Sequence, residues 1–224
     1  MLFRAPDRPL TRPERWTVFG FAIFFFGLFA ADVIVDYSPV KLSILFFFLA
    51  WFPLLVLHET GHVLVATLLG WRVRQVVIGF GRPLKRFSVA RTPVEVRLIP
   101  LEGFTRIAPV NERLPRLKSF LIFFAGPATE MAVLLLLFAV LGINGLLTRS
   151  EEVPIIAAQA VAVAIALGLF SNLVPHSAET QHGRSPNDGL GMIASLTLDK
   201  ERIRQWAAEA ESEDQASLTG RHRS

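Results

Sequence analysis

The chain has 224 residues, 52% of them hydrophobic, with 19 Phe and no Cys, and a mean hydropathy of +0.45. That much apolar surface exceeds what a soluble core of this size absorbs, and the lack of Cys excludes a disulfide scaffold or a thiolate metal site. The net charge of +4 comes from basic residues in loops beside apolar stretches, which argues for membrane orientation and against nucleic-acid binding.

In chain order, a basic segment over 1–15, with Arg4, Arg8, Arg12 and Arg15, leads into four apolar stretches at about 16–35, 42–70, 120–142 and 155–174. Each reaches the roughly 20 residues that cross a bilayer as helix. The first is read as an uncleaved helix, because Phe29 spoils the small-residue cleavage pattern before Ala31. The expected fold is therefore an all-α membrane protein of about four transmembrane helices, with a small β-hairpin or sheet between the second and third. That sheet is predicted from partial alternation over 73–80 and 87–98, broken by Gly79, Gly81 and Pro83. Arg and Lys crowd the N-terminal segment and the loop 71–118 but not the turns 32–41 and 144–154, so both termini are expected on the cytoplasmic side of a multi-pass cell-membrane protein. The membrane core spans 16–189. A cytoplasmic tail follows over 190–224, helical through 199–210 and then a polar run over 211–224 without a periodic apolar face, of which the last dozen residues are expected to be disordered.

The second stretch carries His58-Glu59-Thr60-Gly61-His62. Residues four apart share a helix face, so His58 and His62 can present ring nitrogens to one ion, with Glu59 beside them. Two histidines leave room for one more protein ligand and an open position, where zinc acidifies water and Glu59 acts as general base. The motif sits roughly 18 Å from the end of the span near Gly70, a depth at which ionisable groups are costly and functional. Pro53, just before it, opens one backbone hydrogen bond or is simply a tolerated membrane proline. Of the remaining histidines, His222 is in the tail. His176 and His182 lie after the fourth stretch with Glu179 and Asp188, and any of these four can complete the site.

Asn172-Leu173-Val174-Pro175 and Asp188-Gly189 follow the HExGH motif, and Ile78-Gly79-Phe80-Gly81, Ile99-Pro100-Leu101-Glu102-Gly103-Phe104 and Ala125-Gly126-Pro127 lie between. In this order the segments resemble the site-2 protease family of intramembrane zinc metalloproteases, in its compact form without PDZ or CBS domain, over about residues 55–189. The resemblance implies one Zn2+ per chain held by His58, His62 and Asp188, while on the residues themselves His176, His182 and Glu179 stay open as alternative third ligands. It further implies that Asn172 binds substrate or orders the site, and that the stretch at Gly103 and Phe104 forms an edge that pairs with extended substrate.

Three departures stand out. Twelve residues separate Pro175 from Asp188, where the compact family pattern has four, so this loop must fold back. Glu102 stands where Gly is usual and reads as a solvated loop residue. Glu130 stands where Asn is usual, and is either an outer acceptor for a zinc-bound His or a protonated group facing the bundle.

The expected function is hydrolysis of peptide bonds in or near transmembrane segments of membrane-protein substrates within the lipid bilayer. The alternative is a non-proteolytic zinc-binding membrane protein: a scaffold, transporter or inactive homologue.

Overall fold

The computed structural model describes residues 12–180 and 183–221. Helix α1 (Arg12–Val35) is followed by a single 3-10 turn (Pro39–Lys41) and α2 (Leu42–Leu68). Strands β1 (Arg72–Val89) and β2 (Thr92–Ala108) come next, then α3 (Pro115–Leu147) and α4 (Val153–Leu173). A short hairpin, β3 (Ser177–Thr180) and β4 (Gly183–Pro186), precedes α5 (Asp188–Ser195) and α6 (Lys200–Arg221).

Among the described residues three helical segments are long and apolar enough to cross a membrane: Pro39–Leu68, Pro115–Leu147 and Val153–Leu173. The expected first span corresponds to α1, whose apolar run Phe19–Val35 is shorter. Their outer faces leave Phe48, Leu49, Leu64, Leu135 and Leu136 exposed, a distribution suited to hydrocarbon surroundings. Helix α2 continues through Pro53, and the hydroxyls of Thr60 and Thr67 bond back to the carbonyls of Val56 and Val63.

Small residues set the inter-helix distances. A Cβ added at Gly61 of α2 would lie 2.6 Å from the Ala125 carbonyl oxygen of α3, so the two backbones touch there. On α4, Ala160 and Ala164 are buried, as are Ala125 and Gly126 on α3. Helix α3 begins with Pro115 and α4 has Pro154 as its second residue, positions where a missing N–H costs nothing. Near its far end α3 is interrupted at Gly142, which takes φ 67°.

The sheet is more elaborate than a simple hairpin. Val76, Val77 and Ile78 pair with Thr105, Phe104 and Gly103, and also with Val94, Glu95 and Val96, while 85–89 folds back onto 92–96. The reversal falls at Gly79 and Gly81, both at positive φ, the positions where alternation breaks in the sequence. Glu95 is buried between two arginines: Arg86 and Arg97 each donate to it at 2.7 Å. Burial opposes ionisation of this carboxyl, but the hydrogen bonds from Arg97 and Arg86 outweigh it and hold the group below its ordinary range.

Helix α6 continues to Arg221, beyond the 199–210 expected to be helical and into the last dozen residues. The polar run holds Ala, Glu and Gln, good helix formers that need no apolar face of their own. The start of α6 is also docked rather than solvated: Ile203 is buried against Ala66, Trp71 and Ile122. Trp206 meets Trp71 edge to face at 5.3 Å, and Arg204 donates to Glu112 at 2.6 Å.

Candidate metal centre

Helix α2 places the two histidines one turn apart with their rings facing the same point, Nε2 to Nε2 at 3.1 Å. Asp188, the first residue of α5, faces them both: Oδ2 is 2.9 Å from His58 Nε2 and Oδ1 is 3.3 Å from His62 Nε2. These three are the only group of metal-ligating side chains brought together among the described residues, with one donor atom from each lying within 4.8 Å of the others.

The arrangement fits zinc on its own chemistry. Donors bound to a tetrahedral zinc at about 2.0–2.1 Å stand roughly 3.3 Å apart, and the two Nε2 atoms, 3.1 Å from each other, stand near that value. His62 Nδ1 lies 2.7 Å from the Ile122 carbonyl oxygen, which can only accept, so this nitrogen carries the proton and a neutral ring leaves Nε2 bare. A bare imidazole nitrogen converging with a carboxylate repels it unless a cation sits between them. His58 and His62 are 5% and 6% exposed, which makes that repulsion expensive.

Glu59, 3% exposed, lies beside this cluster. Thr105 of β2 donates its hydroxyl to Oε2 at 2.6 Å. The other oxygen lies under Gly103, where a Cβ would come within 2.8 Å of Oε1. Strand β2 thus passes directly over the carboxylate, and glycine at 103 leaves the space for it.

A comparison with protein-family models matches residues 46–211 to the model described as peptidase family M50. The chain belongs to peptidase family M50. Among curated proteins it is similar to zinc metalloprotease Rip1 of Mycobacterium tuberculosis, at 35% identity over 119 residues, 46% of this chain and 30% of that protein. It is also similar to zinc metalloprotease RasP of Geobacillus kaustophilus, at 37% identity over 76 residues, 34% of this chain and 18% of that protein. The chain therefore spans less than a third of the length of these M50 relatives over the matched segments.

The long spacing before Asp188 is resolved by the small hairpin β3–β4. His176 and Asn187 meet at its base, with the Asn187 N–H donating to the His176 carbonyl at 3.0 Å and the His176 N–H to Asn187 Oδ1 at 3.1 Å. The excursion leaves and returns at one point, so its length does not displace Asp188. Asn187 then caps α5 by accepting from the Leu190 N–H, and its amide donates to the carbonyls of Asn172 and Val174 at 3.0 and 2.7 Å. Gly189 and Gly191 complete the seating: a Cβ at Gly189 would strike the Leu173 carbonyl, and one at Gly191 the Phe123 ring. The Asp-Gly pair that resembles an M50 signature thus has a packing reason in this chain.

The other expected residues fall at different distances from the donors. The Asn172 side-chain nitrogen is 3.4 Å from His58 Nδ1, and Glu130 Oε1 is 3.3 Å from the same nitrogen. Phe104 lies in β2 paired with Val77, and Glu102 is exposed. His176 is engaged by Asn187 and the Val174 carbonyl rather than by the donor cluster. Glu179 lies in β3, and His182 and His222 lie outside the described residues.

Sequence reasoning misses Thr105, the Ile122 carbonyl, Asn187 and the role of Gly126. Asn187 has a readable signal, an Asn immediately before Asp-Gly at a helix start. Gly126 faces both imidazoles: a Cβ there would sit 2.5 Å from His58 Nε2 and would also collide with His62 Nε2. Gly126→Ala favours helix locally, yet it intrudes on the donors at an overpacking cost of about 1–3 kcal/mol. Zinc binding by that variant is expected to weaken roughly 5- to 150-fold, measured by chelator competition, with helix content unchanged by circular dichroism.

Proposed function

We propose that the chain is an intramembrane zinc metalloendopeptidase that hydrolyses peptide bonds in or near transmembrane segments of other membrane proteins. The observation that carries this reading is the convergence of His58, His62 and Asp188 beside a buried Glu59, roughly 15 Å from the end of an apolar helix at Leu68. His58 and His62 through Nε2, and Asp188 through its carboxylate, would hold the zinc. When bound, the metal supplies Lewis acidity, which brings the pKa of a water to about 7.

The remaining steps belong to the chain's own groups. Thr105 holds Glu59 Oε2 in place, leaving Oε1 to take a proton from the attacking water and deliver it to the leaving amine nitrogen. Substrate must arrive extended, because a helix hides its peptide bonds. Gly103, Phe104 and Thr105 pair on one side with Ile78, Val77 and Val76. Their free side accepts an added strand, which would satisfy the unwound backbone and lay it beside Glu59. Asn172, near His58, orders the site or binds the substrate backbone. Both termini face the cytoplasm, following the bias of Arg and Lys to that side.

The purified full chain in lipid, incubated with a single-span membrane substrate, tests the reading. Cleavage is expected to stop when zinc is stripped by a chelator and to return when zinc is restored. Undiminished cleavage by the stripped protein would overturn it.

A further inference from the structure

We propose that Glu130 is a positioning residue for the metal centre, fixing the tautomer of His58 so that Nε2 turns its lone pair toward Asp188 and His62. The inference rests on the zinc reading above and concerns a carboxylate that the hydrolytic steps do not use.

Glu130 lies on α3, inside the helix bundle and 5% exposed. A carboxylate in such a span is costly and needs a polar neighbour. Its Oε1 stands 3.3 Å from His58 Nδ1, while Oε2 is buried without a hydrogen-bond partner among the described residues. Helix α4 makes room for it: a Cβ at Gly168 would lie 3.3 Å from Oε1, so that backbone approaches the carboxylate closely.

The tautomer argument follows from the neighbours of His58 Nδ1. This nitrogen faces two side chains, the Glu130 carboxylate and the Asn172 amide, whose nitrogen is 3.4 Å away. An amide N–H donating to Nδ1 would select the ring form with its proton on Nε2, pointed at the metal position. An oxygen acceptor at Oε1 selects the opposite form, Nδ1–H with Nε2 bare. His62 has no such competition, because the Ile122 carbonyl is the acceptor at its Nδ1. The two histidines are thus secured differently, His62 by backbone and His58 by a replaceable side chain.

Outer partners of this kind change metal affinity by about 10- to 100-fold when removed. The test uses the full chain in detergent, loaded with zinc or cobalt(II), as wild type, Glu130→Gln and Glu130→Leu. Zinc affinity from chelator competition is expected to fall by about 10-fold in Glu130→Gln and toward 100-fold in Glu130→Leu. The d–d absorption of the cobalt form is expected to shift in both, a signature that a packing role alone would not move. If Glu130→Leu fails to fold, Glu130→Gln, which keeps the shape, decides the matter. Zinc affinity and cobalt spectrum both unchanged in Glu130→Gln would overturn the proposal. A wild type that binds no zinc would instead overturn the metal reading beneath it.

Discussion

Glu59→Gln is expected to lower peptide cleavage by about 10²- to 10⁴-fold, the usual contribution of a positioned general base, while leaving bound zinc unchanged. Gln has nearly the same shape as Glu and still offers an oxygen to the Thr105 hydroxyl, which now donates at 2.6 Å. The side chain therefore stays where it is, and His58, His62 and Asp188 are untouched. Only the capacity to take a proton is lost. The readout is turnover of a membrane substrate alongside zinc content on the same preparation. Full cleavage by Glu59→Gln would remove the base from the mechanism, and loss of zinc with cleavage would show that Glu59 is needed to build the site.

Asp188→Ala is expected to weaken zinc binding by more than the about 10- to 100-fold that follows removal of an outer partner, and to abolish cleavage with it. The change removes the carboxylate that faces both Nε2 atoms at 2.9 and 3.3 Å and leaves two imidazoles alone. Helix α5 should survive, since its cap is Asn187 rather than Asp188 and its packing comes from Gly189, Gly191 and the Ser195–Ser119 hydrogen bond. Zinc titration of the variant, with circular dichroism as the fold control, checks this. Wild-type zinc affinity in Asp188→Ala would mean that another group supplies the third ligand.

Much of this site is legible in the sequence because helices convert spacing directly into geometry. His58 and His62 face one point because four residues make about one turn. The broken alternation around Gly79 and Gly81 likewise marks where the sheet reverses. What sequence does not carry is contact between segments far apart in the chain. Thr105 reaches Glu59 across 46 residues, and the Ile122 carbonyl holding His62 has no residue-type signal at all. The hairpin β3–β4 illustrates a third case, in which a count of intervening residues misleads because the chain closes on itself at His176 and Asn187. Docking of α6 belongs with the contacts between distant segments: Ile203, Trp206 and Ala210 lie at helical spacing, but their spacing does not name Ala66 and Trp71, far away in the chain, as what they pack against.

The most direct measurement is zinc K-edge X-ray absorption on the metal-loaded wild-type chain, in which imidazole rings give a multiple-scattering pattern that can be counted. Two imidazoles per zinc, with the other donors oxygen at about 2.0–2.2 Å, is the result expected from His58, His62 and Asp188. Three imidazoles would contradict it, because His176 or His182 would then hold the position assigned to Asp188.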